Sequence, residues 1–100
     1  MPSYSVSVQH DLGQAAARQR VEGFLETVLR DYAQSISNVG GQWTENRLAF
    51  HFVTSGLNIS GMLVVEETLV EVSGPLPLAA VLFRGRIEQQ IRNELQRLLS

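Results

Sequence analysis

One hairpin register, applied three times between residues 39 and 73, constrains this chain more than any other feature. With Ser55-Gly56 as a two-residue turn, Phe52 faces Ile59, Phe50 faces Gly61 and Leu48 faces Leu63. With Glu45-Asn46 as the preceding turn, Trp43 faces Leu48 and Val39 faces Phe52. With Glu66-Glu67 as the following turn, Leu63 faces Val70 and Gly61 faces Val72. All these residues fall on one face. Strand side chains alternate, so a slip of one residue would turn the whole set outward. The shared face therefore predicts a four-stranded antiparallel meander with one buried side. Gly41 and Gly61 flank Phe50, leaving room there for a helix or an aromatic ring to approach.

The flanks supply one more strand and two helices. Residues 4–8, YSVSV, alternate strictly, with Tyr4, Val6 and Val8 on one side. From Ala15 to Tyr32, Val21, Phe24, Leu25, Val28, Leu29 and Tyr32 recur with the period of an amphipathic helix. Glu26 and Arg30 are spaced for an i, i+4 pair on its polar side. Gly74, Pro75 and Pro77 end the last strand of the meander. Phe83, Ile87, Ile91, Leu95 and Leu98 form a second helical stripe, with Glu88 and Arg92 on its flank. The apolar run before it, LPLAAVLF, suits either the first turns of that helix or a buried connector. The order is β-α-β-β-β-β-α. The economical arrangement is an α+β fold, a single antiparallel sheet with two helices packed on one face. Residues 1–100 make one domain.

Composition closes off several function classes. A net charge of −2 lacks the basic excess of a general nucleic-acid binder. Cysteine is absent, which removes disulfides, thiol nucleophiles and thiolate metal sites. The N-terminus has no basic start and no apolar core, so a secretory signal is not expected. No apolar run approaches the roughly 20 residues of a membrane span. A cytoplasmic protein is expected.

The second face of the sheet is mixed. Gln42, Arg47, His51, Asn58, Ser60, Glu71 and Ser73 alternate with Ala49, Val53, Met62, Val64 and Leu69. Ala49 is expected to neighbour Met62, and Val64 to face Leu69. Together they would form an apolar patch through which the chain could pair as a homodimer.

Reactive groups are sparse. The two histidines, His10 and His51, belong to no metal motif, and no carboxylates have ligand spacing. Neither a metal nor a cofactor is expected. His10-Asp11 reads either as a catalytic pair or as the start of a helix. Asp11 and Gln14 have the spacing of a capping box, in which Asp11 accepts a first-turn N–H and Gln14 reaches back. A catalytic pair would need a nucleophile or a bound substrate atom beside it. Arg84 and Arg86, beside Gly85, are the best placed groups for a phosphate or carboxylate. The candidate contacts for a ligand or partner are thus His10, Trp43, His51, Met62, Leu69, Arg84 and Arg86.

Several stretches carry a family likeness: HDLGQAAARQRVE, then Trp43 ahead of RLAFHF, then SGLNISGMLVVEETLVEV and FRGRIEQQIRNELQRLL. Within them, His10, Leu12, Gly13, Ala17 and Arg20 form one motif, and Phe83, Gly85, Ile87 and Glu88 a second. The chain resembles, over nearly its whole length, the polyhydroxyalkanoic acid system protein family, small bacterial proteins of polyhydroxyalkanoate granule gene regions. It departs from the family pattern after Trp43, where TENR replaces a tight glycine-containing turn. The likeness implies a pathway, polyester storage, and not a reaction, and it carries over no catalytic residues. The expected function within that pathway is a non-enzymatic accessory protein that binds a protein or an apolar ligand, with the granule or its proteins as partners. The alternative is a small enzyme or carrier acting on a hydroxyacyl or other apolar ligand. The element order resembles a reduced helix-grip domain, in which a curved sheet wraps a helix around such a ligand.

Overall fold

In the computed structural model, which describes residues 2–31, 34–54 and 56–100, the chain folds in the expected order of elements. The side chains of Val28 and Leu29 lie outside that description, as do Tyr32 of the first helical stripe and Ser55 of the middle turn. The elements are β1 (Ser3–Gln9), α1 (Gln14–Asp31), β2 (Ile36–Thr44), β3 (Arg47–Thr54), β4 (Leu57–Val65), β5 (Leu69–Pro75), a 3-10 helix (Leu78–Phe83) and α2 (Arg84–Leu99). One antiparallel sheet runs in the order β1-β5-β4-β3-β2. The apolar run LPLAAVLF is thus a connector carrying a short 3-10 helix of its own, and α2 starts after it.

The buried face is the one the register predicts. Leu48, Leu63, Val65, Val70 and Val72 from the meander meet Tyr4, Val6 and Val8 from β1. Ala17 and Val21 of α1 and Leu95 and Leu99 of α2 close over them. Both helices therefore cover one side. They are tied together at one end by Arg20, which donates to the carbonyls of Leu98 (3.0 Å) and Ser100 (2.7 Å). Those carbonyls are among the acceptors a helix C-terminus leaves unpaired.

Tyr4 uses the space that glycine leaves. Its ring lies across β5 toward β4, and its hydroxyl donates to the Ser60 carbonyl at 2.8 Å. A Cβ at Gly61 would strike that hydroxyl and lie 2.7 Å from the Phe50 ring. A Cβ at Gly74 would strike the Ser60 carbonyl. Burial pushes the Tyr4 phenol up to about 12, because the phenolate would lose hydration in the core.

Three pairings differ from the sequence reading. At β4–β5, Leu63 faces Val72 and Val65 faces Val70, two residues away from the expected match. The turn is centred one residue later, with Glu66 N–H donating to the Leu69 carbonyl at 2.8 Å. A shift of two preserves the buried face, but Val64 now faces Glu71 instead of Leu69. In β2 a bulge between Ser37 and Gly40 takes Val39 out of register with Phe52. Asn38 adopts φ +51° there, and Val39 turns to solvent. The third difference concerns ion pairs. Arg30 reaches Asp31 and not Glu26, and Glu88 accepts the backbone N–H of Ser5 at 2.8 Å instead of pairing with Arg92. The i, i+4 pair on α1 is Arg18–Glu22, at 2.8 Å.

Candidate functional site

The stretch His10–Gln14 is where β1 hands over to α1, and it docks against the β4–β5 turn. His10 is 6% exposed, the one buried polar or charged residue among those described. Its backbone N–H donates to the Thr68 carbonyl at 2.8 Å. The Leu12 N–H donates to the ring Nδ1 at 3.1 Å. The ring Nε2 lies 3.1 Å from the Glu66 carbonyl. A carbonyl can only accept, so Nε2 carries the proton and Nδ1 the lone pair. Both ring nitrogens are thereby committed to backbone partners. The imidazole acts as a clasp between the strand-to-helix connector and the turn.

Gln14 extends the clasp. Its side-chain amide donates to the Val65 carbonyl at 3.0 Å, an oxygen that Asn46 also reaches at 2.8 Å. The expected capping box does not form. Helix α1 begins at Gln14, with Ala17 N–H donating to the Gly13 carbonyl at 3.0 Å. Gly13 has φ +82°, which suits glycine. The Gln14 N–H is accepted by the Glu67 carboxylate at 3.3 Å. Asp11 faces solvent. The later turn centre explains the correction. It brings the Glu67 carboxylate against Gly13, and a carboxylate from across the fold then takes the helix-end position that Asp11 would have taken.

The remaining candidates are scattered. Trp43 is half-buried beneath the Arg18 guanidinium, which stands 4.5 Å from its ring centroid. Arg18 also donates to the Glu45 carbonyl at 2.7 Å. Trp43 thus fastens α1 to the β2–β3 hairpin, a cation–π contact the sequence reading missed. The hairpin turn sets Glu45 at φ +57°, a conformation that glycine would take without strain. His51 is exposed on the outer face, and its ring covers Gly40, the residue opposite it in β2. Met62, 39% exposed, faces Ala49 as expected. Leu69 shares that face, but Val64 and Glu71 stand between it and Met62. Arg84 donates to the Ser3 carbonyl at 3.3 Å. Arg86 is exposed.

Two surface hollows gather some of these residues. One, of about 560 Å³, lies between the end of β1 and the C-terminus of α2 and is lined by His10, Asp11 and Gln96. The other, of about 530 Å³, is on the outer sheet face and is lined by Ala49, His51, Ser60, Met62 and Ser73. Among the described residues no three His, Asp or Glu side chains converge as metal ligands, and no helix is long and apolar enough to cross a membrane.

Comparison with protein families decides the relationship. Residues 5–99 match the model of the family described as "Putative polyhydroxyalkanoic acid system protein". The chain belongs to this family. The match spans both helices and all but the first two residues of the sheet, and it includes the His10–Gln14 clasp. No curated protein and no solved structure matches the chain. The family's description points to the polyhydroxyalkanoic acid system. In this family member the His10–Gln14 stretch ties the β1–α1 connector to the β4–β5 turn.

Proposed function

We propose that this protein is a non-enzymatic accessory of polyester storage that works in the cytoplasm, at or near the granule, by binding. The observation that carries the reading is His10. It is the most promising acid or base in the chain, and both of its ring nitrogens are spent on backbone partners. His51 stands on an open sheet face over a glycine, without the converging groups that acid–base catalysis needs. The outer face offers a binding surface, with Met62 exposed beside Ala49 and a hollow there. A protein of the granule or a second copy of this chain would cover that face.

A second reading rests on the hollow beside His10. Its volume of about 560 Å³ is within the range of small-ligand sites, roughly 300–1,000 Å³, and a hydroxyacyl group could lie there. One pair of assays separates the two. The purified protein is expected to sediment with polyhydroxyalkanoate granules and to leave hydroxyacyl thioesters unchanged. Thioester turnover that disappears in His51→Ala, or in a folded His10 variant, would establish the enzyme instead. Sedimentation velocity over a concentration series tests the second copy: a Met62→Lys variant should then stay monomeric where the parent chain associates.

A further inference from the structure

The connector from β5 to α2 exposes what a folded chain normally hides. Leu78 is 81% exposed, Leu82 91% and Phe83 53%. These side chains are displayed from an anchored turn. Leu76 and Ala80 beneath them are buried, the Leu76 N–H donates to the Pro2 carbonyl at 3.0 Å, and the Ala80 N–H donates to the Pro77 carbonyl at 2.9 Å. Two exposed arginines, Arg84 and Arg86, follow at once. Among the described residues neither forms an ion pair with a carboxylate.

We propose that Leu78–Phe83 is a wedge that enters the apolar layer of an anionic lipid surface, with Arg84 and Arg86 meeting the headgroup phosphates. The inference rests on the reading of this chain as a binding accessory and names the surface it binds. Charge favours lipid over a protein partner. Binding to a lipid surface needs no matching shape and grows with the apolar area inserted and with attraction to anionic headgroups. The chain as a whole is acidic, yet the charged residues that follow this segment directly are Arg84 and Arg86, both exposed, and guanidinium groups pair with phosphate oxygens.

The test is flotation of the full chain with vesicles of phosphatidylglycerol and phosphatidylcholine, compared with phosphatidylcholine alone. Binding is expected to the anionic vesicles. The Leu78→Ser, Leu82→Ser double variant should lose about 10-fold or more of it, and Arg86→Gln about 5-fold. A single Leu82→Trp variant gives an independent signal: its emission should shift to the blue on anionic vesicles. Several results would overturn the proposal. These are no flotation of the parent chain, undiminished flotation of the double variant, or no spectral shift in the tryptophan variant. Self-association abolished by the double variant would make a second copy the occupant. Equal binding to lipid-free polyester particles would make the polymer the occupant. Granule sedimentation that persists while flotation fails removes the wedge and keeps the accessory role. The reverse pattern keeps the wedge and removes the granule role.

Discussion

The two strand-to-helix connectors of this fold invert each other. The one from β1 to α1 is polar in sequence, His10-Asp11-Leu12-Gly13, yet its histidine is buried and fully bonded. The one from β5 to α2 is apolar in sequence, yet Leu78 and Leu82 stand in solvent. Burial of a polar side chain is stable only when its hydrogen bonds are replaced, and here they are. Exposure of leucine gains nothing for the fold. The comparison teaches where to look for function. The histidine, the more reactive group, is accounted for by folding. The leucines, chemically inert, are the residues folding leaves over.

The largest effect should come from breaking the buried connector. His10→Ala removes one partner from the Leu12 N–H and another from the Glu66 carbonyl, and a buried group left unpaired costs about 1–3 kcal/mol. A loss of about 2–4 kcal/mol in urea denaturation is expected. A loss below about 1 kcal/mol would mean that the clasp does not hold the connector, and the contrast between the two regions would collapse.

Tyr4 touches both connectors' strands, since it lies on β1 and crosses β5 beside Gly74. Tyr4→Phe deletes the bond to the Ser60 carbonyl and should cost about 1 kcal/mol near neutral pH. The phenol's upward shift to about 12 from an ordinary 10 gives a second readout. The folded state holds the proton more tightly than the unfolded chain, so this contribution is complete below pH 10. It is lost as pH rises from 10 toward 12. Part of the parent's alkaline destabilisation over that window should disappear in the phenylalanine variant. Identical alkaline profiles would place the Tyr4 hydroxyl in water.

Glu67 tests which carboxylate ends α1. Glu67→Ala should cost about 0.5–1 kcal/mol, the lower part of the range for a helix cap, because its contact is long and partly solvated. Asp11→Ala should change stability by less. The opposite ranking in thermal melts would restore Asp11 as the cap.

Most of the sheet was legible because alternation and register are local properties. The face assignment of Leu48, Phe50, Leu63 and Val72 needed only the period of a strand. The room beside Phe50 suited either a helix or an aromatic ring, and it is Tyr4 that reaches Gly61. The β4–β5 turn was harder. Glu66-Glu67 and Glu67-Thr68 centres bury the same face, so alternation cannot choose between them. What chooses is the distant His10–Gln14 segment, which bonds to Val65, Glu66, Glu67 and Thr68 in the later register. The same reason hid the true cap. Asp11 has the right spacing along the chain, while Glu67 is 53 residues away from Gln14 and near it only in space. The outward aim of Leu78 and Leu82 was also invisible. An apolar run between two prolines and a helix reads as core unless one knows that Leu76 and Ala80 have already taken the interior places.

The smallest expected effect is the sharpest contrast with His10. Leu82→Ser changes a side chain that is 91% exposed, so it removes almost no buried apolar surface. Its stability should remain within about 0.5 kcal/mol of the parent, the usual range for surface substitutions. Solubility should rise, because an exposed apolar patch favours association. A loss of about 2 kcal/mol would mean that Leu82 packs inside the protein in solution, and the turn could not then serve as a wedge. Unchanged stability combined with lost flotation would separate the two connectors cleanly: one polar segment that the fold requires, and one apolar segment that only a partner surface explains.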